Sequence, residues 1–139
     1  MKHAGFTKEA GFTIVELLLV VAIIGILASM AIANFSLLKT NAKNATAASD
    51  GRGLAPGVDM VATQEAGSPP SIPPFNGSGG PVLDGGGQPA IPGGRTSPGT
   101  FGTIDFPAPN QYVIKTFQPG GDCFTVTNGI MTVTPGVCT

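Results

Sequence analysis

The 139-residue chain has little charge, a single histidine and only two cysteines, and each scarcity removes a class of function. Charged residues make up 11% of the chain and the formal net charge is −1. That balance supplies no broad attraction to nucleic acid or to anionic lipid. No basic patch interleaved with aromatics is visible, so no nucleic-acid partner is expected. The lone histidine, His3, precedes a long apolar run. Beyond Gly11 the titratable set is five bases (Lys39, Lys43, Arg52, Arg95, Lys115) and seven acids (Glu16, Asp50, Asp59, Glu65, Asp84, Asp105, Asp122), with no pairing motif. This set points to no catalytic constellation, and the chain reads as a non-enzyme without a cofactor. Two cysteines without further suitable ligands are too few for a metal site. The Gly85-Gly86-Gly87 run has no Gly-Lys-Ser/Thr after it and no convincing strand before it, so it is not a phosphate loop.

What the chain does have is concentrated in one place. From Phe12 to Phe35 the sequence is apolar apart from Thr13, Glu16, Ser29 and Asn34. A helix over that run is roughly 36 Å long, against a hydrocarbon core of about 30 Å. It is too long for the apolar part of an ordinary secretory signal. Lys2 and Lys8 lie before it and no basic residue lies within it, which puts the N-terminus in the cytoplasm.

Beyond the run, Phe35, Leu38, Ala42, Ala45 and Ala48 recur at spacings of three and four. They predict an amphipathic continuation of the helix, with Lys39, Lys43 and Asn44 pointing elsewhere. Gly51, Gly53 and Pro56 are expected to end or kink it. Residues 56–66 are compatible with a short continuation beyond the kink. Residues 67–109 hold 11 glycines and 10 prolines and read as a long irregular loop. β-Forming sequence returns at residues 111–117. A turn at Pro119-Gly120-Gly121-Asp122 follows, then CFTVT, Asn128-Gly129 and IMTVT. Asn-Gly between two such runs signals a tight hairpin. It pairs Thr127 with Ile130, Val126 with Met131, Thr125 with Thr132 and Phe124 with Val133. Phe124, Val126, Met131 and Val133 then form one apolar face, which the amphipathic stem is the element available to cover. The fold class is α+β: a long N-terminal helix, its inner half transmembrane and its outer half on a small antiparallel sheet. The expected segments are a leader over 1–11, the helix over 12–50 with its kinked extension to 66, and a C-terminal region over 67–139 with its sheet at 111–139.

Glu16 is the anomaly. A carboxylate at the bilayer centre costs roughly 2.5–3.5 kcal/mol on insertion scales. One reading leaves it wet at the cytoplasmic interface, four residues into the run. The other creates a cation nearby: cutting the chain after Gly11 frees the α-amine of Phe12, which can meet the Glu16 of a neighbouring copy and fix the register between helices. Cys123 and Cys138, fifteen residues apart, are two thiols or a disulfide worth roughly 3 kcal/mol in an oxidising exterior.

Residues 11–28, GFTIVELLLVVAIIGILA, resemble the prepilin signature shared by bacterial type IV pilins and type II secretion pseudopilins. The resemblance covers residues 1 to about 50. It implies cleavage by a prepilin peptidase between Gly11 and Phe12, N-methylation of Phe12, and a stay in the inner membrane as a single-pass protein. It further implies extraction by an assembly ATPase and platform protein into a helical homo-oligomeric filament at the cell surface. There Glu16 pairs with the Phe12 amine of an adjoining subunit. It also implies that Cys123 and Cys138 close a surface loop as a disulfide, which favours a pilus subunit over a secretion pseudopilin. Many members carry a proline at the position of Ala33, where their helix melts in the filament; with Gly25 as the remaining weak point, less melting is expected here. The rival from another class is a single-span membrane protein that keeps its leader and gives Glu16 no assembly role. Phe12 and Phe35, the only aromatics in the helical half, are too sparse for electron conduction. The sequons at Asn44 and Asn76 are read as chance occurrences.

Overall fold

The computed structural model describes residues 11–64, 68–136 and 138. The leader expected over 1–11 therefore lies outside the described residues except for Gly11, as do the last two residues of the helical extension expected to 66. The chain divides into two compact units between Leu37 and Leu38, with one helix, α1 (Ile14–Gln64), contributing to both.

In the first unit α1 is formed by the apolar run, and it is helical through both Gly25 and Ala33. From Phe12 to Leu37 every large apolar side chain is at least 44% exposed.

In the second unit the outer part of α1 covers a five-stranded antiparallel sheet. Its strands are β1 (Phe75–Asn76), β4 (Phe101–Asp105), β5 (Val113–Phe117), β6 (Cys123–Thr127) and β7 (Ile130–Thr134), neighbours in that order. A separate two-stranded ribbon pairs β2 (Gly80–Pro81) with β3 (Arg95–Thr96). The β6–β7 hairpin has the register expected from its sequence, Thr127 with Ile130 through Phe124 with Val133. Asn128 and Gly129 both adopt positive φ, 47° and 83°, as a type I′ turn requires. The core joins Leu54, Val58, Val61 and Ala62 of α1 to Ile104, Ile114 and Val126 of the sheet and to Val82 and Ile91 of the intervening chain.

Four expectations are corrected. First, α1 does not stop at residue 50: it runs through Gly51, Gly53 and Pro56 to Gln64. Three glycines (51, 53 and 57) and a proline cost about 6 kcal/mol of helix propensity. Burying Leu54, Val58 and Val61 returns a similar amount at about 1.5–3 kcal/mol each. Two of these glycines are also contact points. A Cβ on Gly51 would lie 2.9 Å from the Thr116 hydroxyl, and one on Gly57 would lie 2.6 Å from Ile91.

Second, the stem's buried face is not the expected one. Phe35, Leu38, Ala42 and Ala45 are exposed, and of that stripe Ala48 alone is buried. The sheet-facing side runs through Ala47, Ala48, Asp50, Gly51, Leu54, Gly57 and Val58. Lys43 and Asn44 point toward the β5–β6 turn: the Lys43 ammonium donates to the Pro119 carbonyl, and Asn44 exchanges hydrogen bonds of 2.8 Å with the side chain and backbone of Asp122.

Third, residues 67–109 are not an irregular loop throughout. They carry β1, β2, β3 and β4, and they bury Val82, Ile91 and Ile104. The sheet thus begins well before residue 111. Most of the glycines take positive φ at turns between short strands, a pattern that composition alone reads as coil. Fourth, Val133 is 54% exposed rather than covered, because β7 is the edge strand and only Met131 on it reaches the core.

Candidate functional site

Thr13 sits immediately before the first helical residue, and its side chain begins the site. The Thr13 hydroxyl accepts from the Glu16 backbone N–H at 3.2 Å. Glu16 Oε2 in return accepts from the Thr13 backbone N–H at 2.9 Å and from the Thr13 hydroxyl at 3.0 Å. This is a reciprocal capping box, which satisfies backbone donors that a helix start otherwise leaves without partners. The carboxylate at the beginning of the apolar run therefore has partners inside its own chain, and among the described residues Thr13 supplies them. No basic residue in the apolar run points to these partners. The T-x-x-E spacing ahead of an apolar run was the available signal.

Phe12 lies just outside α1 and its side chain is 77% exposed. Gly11 precedes it, with no described residue within 4 Å of where a Cβ would stand. Gly11, Phe12 and Glu16 thus lie within six consecutive residues at an exposed helix start. From there the apolar surface continues on all sides of the helix. This helix is long and apolar enough to cross a membrane. An apolar surface of that extent is unstable in water and requires lipid or other apolar helices around it.

In the second unit, Cys123 and Cys138 are joined in a disulfide with Cα atoms 5.1 Å apart. Cys123 opens β6 and Cys138 follows β7, so the bond closes the hairpin at the end away from its Asn-Gly turn. At the same end of the sheet, Asp50 of α1 is buried against the Ser97–Thr100 turn. It accepts from Ser97 N–H at 2.8 Å, from the Ser97 hydroxyl at 2.9 Å and from the Thr100 hydroxyl at 2.6 Å. Thr116 donates at 2.8 Å to the carbonyl of Ala47, tying the sheet to the helix. Tyr112 is buried beside the β6–β7 turn. Burial first, and the nearby Asp59 charge second, raise its phenol above the ordinary range. Of the two sequons, Asn44 is committed to Asp122, and Asn76 accepts from Ser78 within a surface turn.

Hollows lie in this unit among the described residues, and two of them are lined mainly by apolar and small side chains. One, of about 240 Å³, is walled by residues 73–83 and Thr96. The other, of about 280 Å³, lies on the outer sheet face between Phe75, Phe101, Phe117 and Lys115. Neither gathers a set of catalytic groups. Among the described residues no cluster of His, Cys, Asp or Glu side chains suits a metal ion.

Residues 6–32 match the family model described as the prokaryotic N-terminal methylation motif. The match contains Gly11, Phe12, Thr13 and Glu16, and it is the signature of type IV pilins and pseudopilins. No curated protein and no solved structure matches the chain.

Proposed function

We propose that the chain is a type IV pilin, a structural subunit cut after Gly11, methylated on Phe12 and polymerised through α1. The methylation motif supports a pilin or a pseudopilin. The observation that carries the reading is Glu16, fifth after Gly11, set at the start of a helix whose apolar surface is exposed all round. In the inner membrane that surface is solvated by lipid. In a filament it packs against the same helices of other subunits. Two roles then fall to Glu16. Within its chain it caps the helix through Thr13. Between chains its charge meets the Phe12 amine that cleavage creates. A subunit one step out of register leaves that carboxylate buried without its cation, a loss of about 3–5 kcal/mol. The contact thereby selects one axial offset among many that apolar packing alone would permit. The prepilin peptidase and the assembly ATPase and platform are the partners this route requires.

The Cys123–Cys138 disulfide fits an oxidising compartment outside the cytoplasm, and the resemblance to pilins whose C-terminal disulfide closes a surface loop favours the pilus reading. The second reading, a type II secretion pseudopilin, shares everything up to the filament. Mass spectrometry of fibres sheared from cells tests the proposal. A peptide beginning at N-methylated Phe12, with Cys123 linked to Cys138, is the expected result. Processed protein confined to the membrane fraction would shift the assignment to the pseudopilin. An uncut N-terminus would overturn both.

A further inference from the structure

Phe101 with Phe117 is the last ladder pair between β4 and β5 at one end of the sheet, so Thr100 and Gln118 stand opposite each other just beyond it. Two turns hold them there. In Ser97-Pro98-Gly99-Thr100 the Thr100 N–H donates to Ser97 O at 3.1 Å and Gly99 has φ 84°. In Gln118-Pro119-Gly120-Gly121 the Gly121 N–H donates to Gln118 O at 2.9 Å and Gly120 has φ 82°. Proline second and a positive-φ glycine third identify both as type II turns, which are stiff. The Thr100 side chain is fully buried. Its hydroxyl donates to Asp50 Oδ2 at 2.6 Å, and Gln118 Nε2 reaches the same hydroxyl oxygen at 3.3 Å.

A hydroxyl polarised by a buried carboxylate and lying against a primary amide has the parts of an acyl transfer: base, nucleophile and acyl carbon. The three are fixed relative to one another by the sheet and the two turns. That replaces a bimolecular encounter by an intramolecular one, and the burial of Thr100 keeps competing water away. The acyl carbon is one bond beyond Nε2, and the terminal torsion of a glutamine is soft enough to turn its face to the hydroxyl.

We propose that Thr100 and Gln118 join in an internal ester. Thr100 Oγ1 attacks Gln118 Cδ while Asp50 takes the hydroxyl proton. The tetrahedral centre then collapses with cleavage of the Cδ–Nε2 bond. Asp50 returns the proton to the departing nitrogen, which leaves as ammonia. One O–C bond forms, one C–N bond breaks, and no oxidant or metal takes part. The ester clamps β4 to β5 as the disulfide clamps β6 to β7. It does not depend on whether the subunit serves a pilus or a pseudopilus.

The test is the mass of the purified, reduced full-length chain. The expected value lies about 17 Da below that of the processed sequence, the mass of one ammonia lost in acyl transfer to Thr100. Trypsin cuts after Arg95 and Lys115, so Thr100 and Gln118 fall in separate peptides, 96–115 and 116–139. After reduction those peptides are expected to stay joined and to separate in mild alkali, leaving a carboxylate at position 118. Asp50→Asn, which keeps an acceptor but removes the base, is expected to restore the full mass, as is Thr100→Val. The wild-type mass and the joined wild-type peptide pair carry the test by themselves, so a folding defect in either variant does not obscure it. A wild-type chain at full mass overturns the ester. So does a loss of the same size mapped to Asn76 or Asn128, where an Asn-Gly succinimide sheds ammonia too. A joined peptide pair that persists in Asp50→Asn overturns the role given to Asp50.

Discussion

Gly51 of α1 and Thr116 of β5 meet where the helix crosses the sheet, and a Cβ on the glycine would stand 2.9 Å from the threonine hydroxyl. That hydroxyl is already engaged, donating to the Ala47 carbonyl. Gly51→Ala therefore gains about 1 kcal/mol of helix propensity and pays for it with overpacking of about 1–3 kcal/mol plus a strained buried hydrogen bond. Net destabilisation of roughly 1–2 kcal/mol is expected. Gly53 has nothing within 4 Å of its missing Cβ, so Gly53→Ala is expected to stabilise by up to about 1 kcal/mol. Thermal unfolding of the two variants in the same detergent checks the opposite signs.

Glu16 carries two roles that one substitution separates. Glu16→Gln keeps an acceptor for the Thr13 N–H and hydroxyl, so the capping box survives. It removes the charge on which assembly is proposed to depend. Membrane insertion and cleavage after Gly11 are expected to persist in Glu16→Gln and in Glu16→Val. Fibre yield is expected to fall about tenfold or more, since a buried Phe12 amine left without its anion costs about 3–5 kcal/mol, and about 1.4 kcal/mol already makes a tenfold change. Wild-type fibre yield from either variant would end the register role.

The disulfide closes a segment 15 residues apart in sequence around the edge strand β7. Replacing both Cys123 and Cys138 by serine is expected to cost about 3 kcal/mol. The loss should be local first. Ile130 and Val133 are largely exposed, so β7 has little burial of its own to hold it. Hydrogen exchange is expected to lose protection at residues 130–134 before β4 and β5 are affected.

Tyr112 is the only tyrosine, which makes its titration directly readable by ultraviolet absorbance. Its folded pKa is raised by burial and by Asp59. The neutral phenol is thus favoured in the fold, and the unfolded chain loses its proton first, near about pH 10. Stability from this group is fully present below that pH and falls as pH rises through the folded value. Tyrosinate absorbance should appear at higher pH in the folded protein than in denaturant. In Asp59→Asn the folded titration should move back toward the ordinary value. An unchanged titration in Asp59→Asn would remove the coulombic contribution and leave burial alone.

The residues that specify local chemistry were legible in the sequence. An apolar run with one carboxylate announces a membrane-length helix and an anomaly within it, because hydrophobicity and charge are properties of side chains regardless of fold. Asn128-Gly129 fixes the register of β6 and β7, because few dipeptides accept two successive positive φ values and a strand's period of two then assigns every pair. Proximity in sequence likewise made Cys123 and Cys138 a candidate pair. The tertiary structure decided the rest. Gly51, Gly53 and Pro56 read as breakers, yet α1 continues through them, since Gly51 and the neighbouring Gly57 permit the close approach that accompanies burial of Leu54 and Val58. The Gly/Pro-rich stretch reads as coil, yet it supplies Ile91 to the core and Thr100 to Asp50 across a separation of 50 residues. Composition records the conformational freedom a segment has in isolation, whereas burial against residues distant in sequence determines whether that freedom is lost on folding.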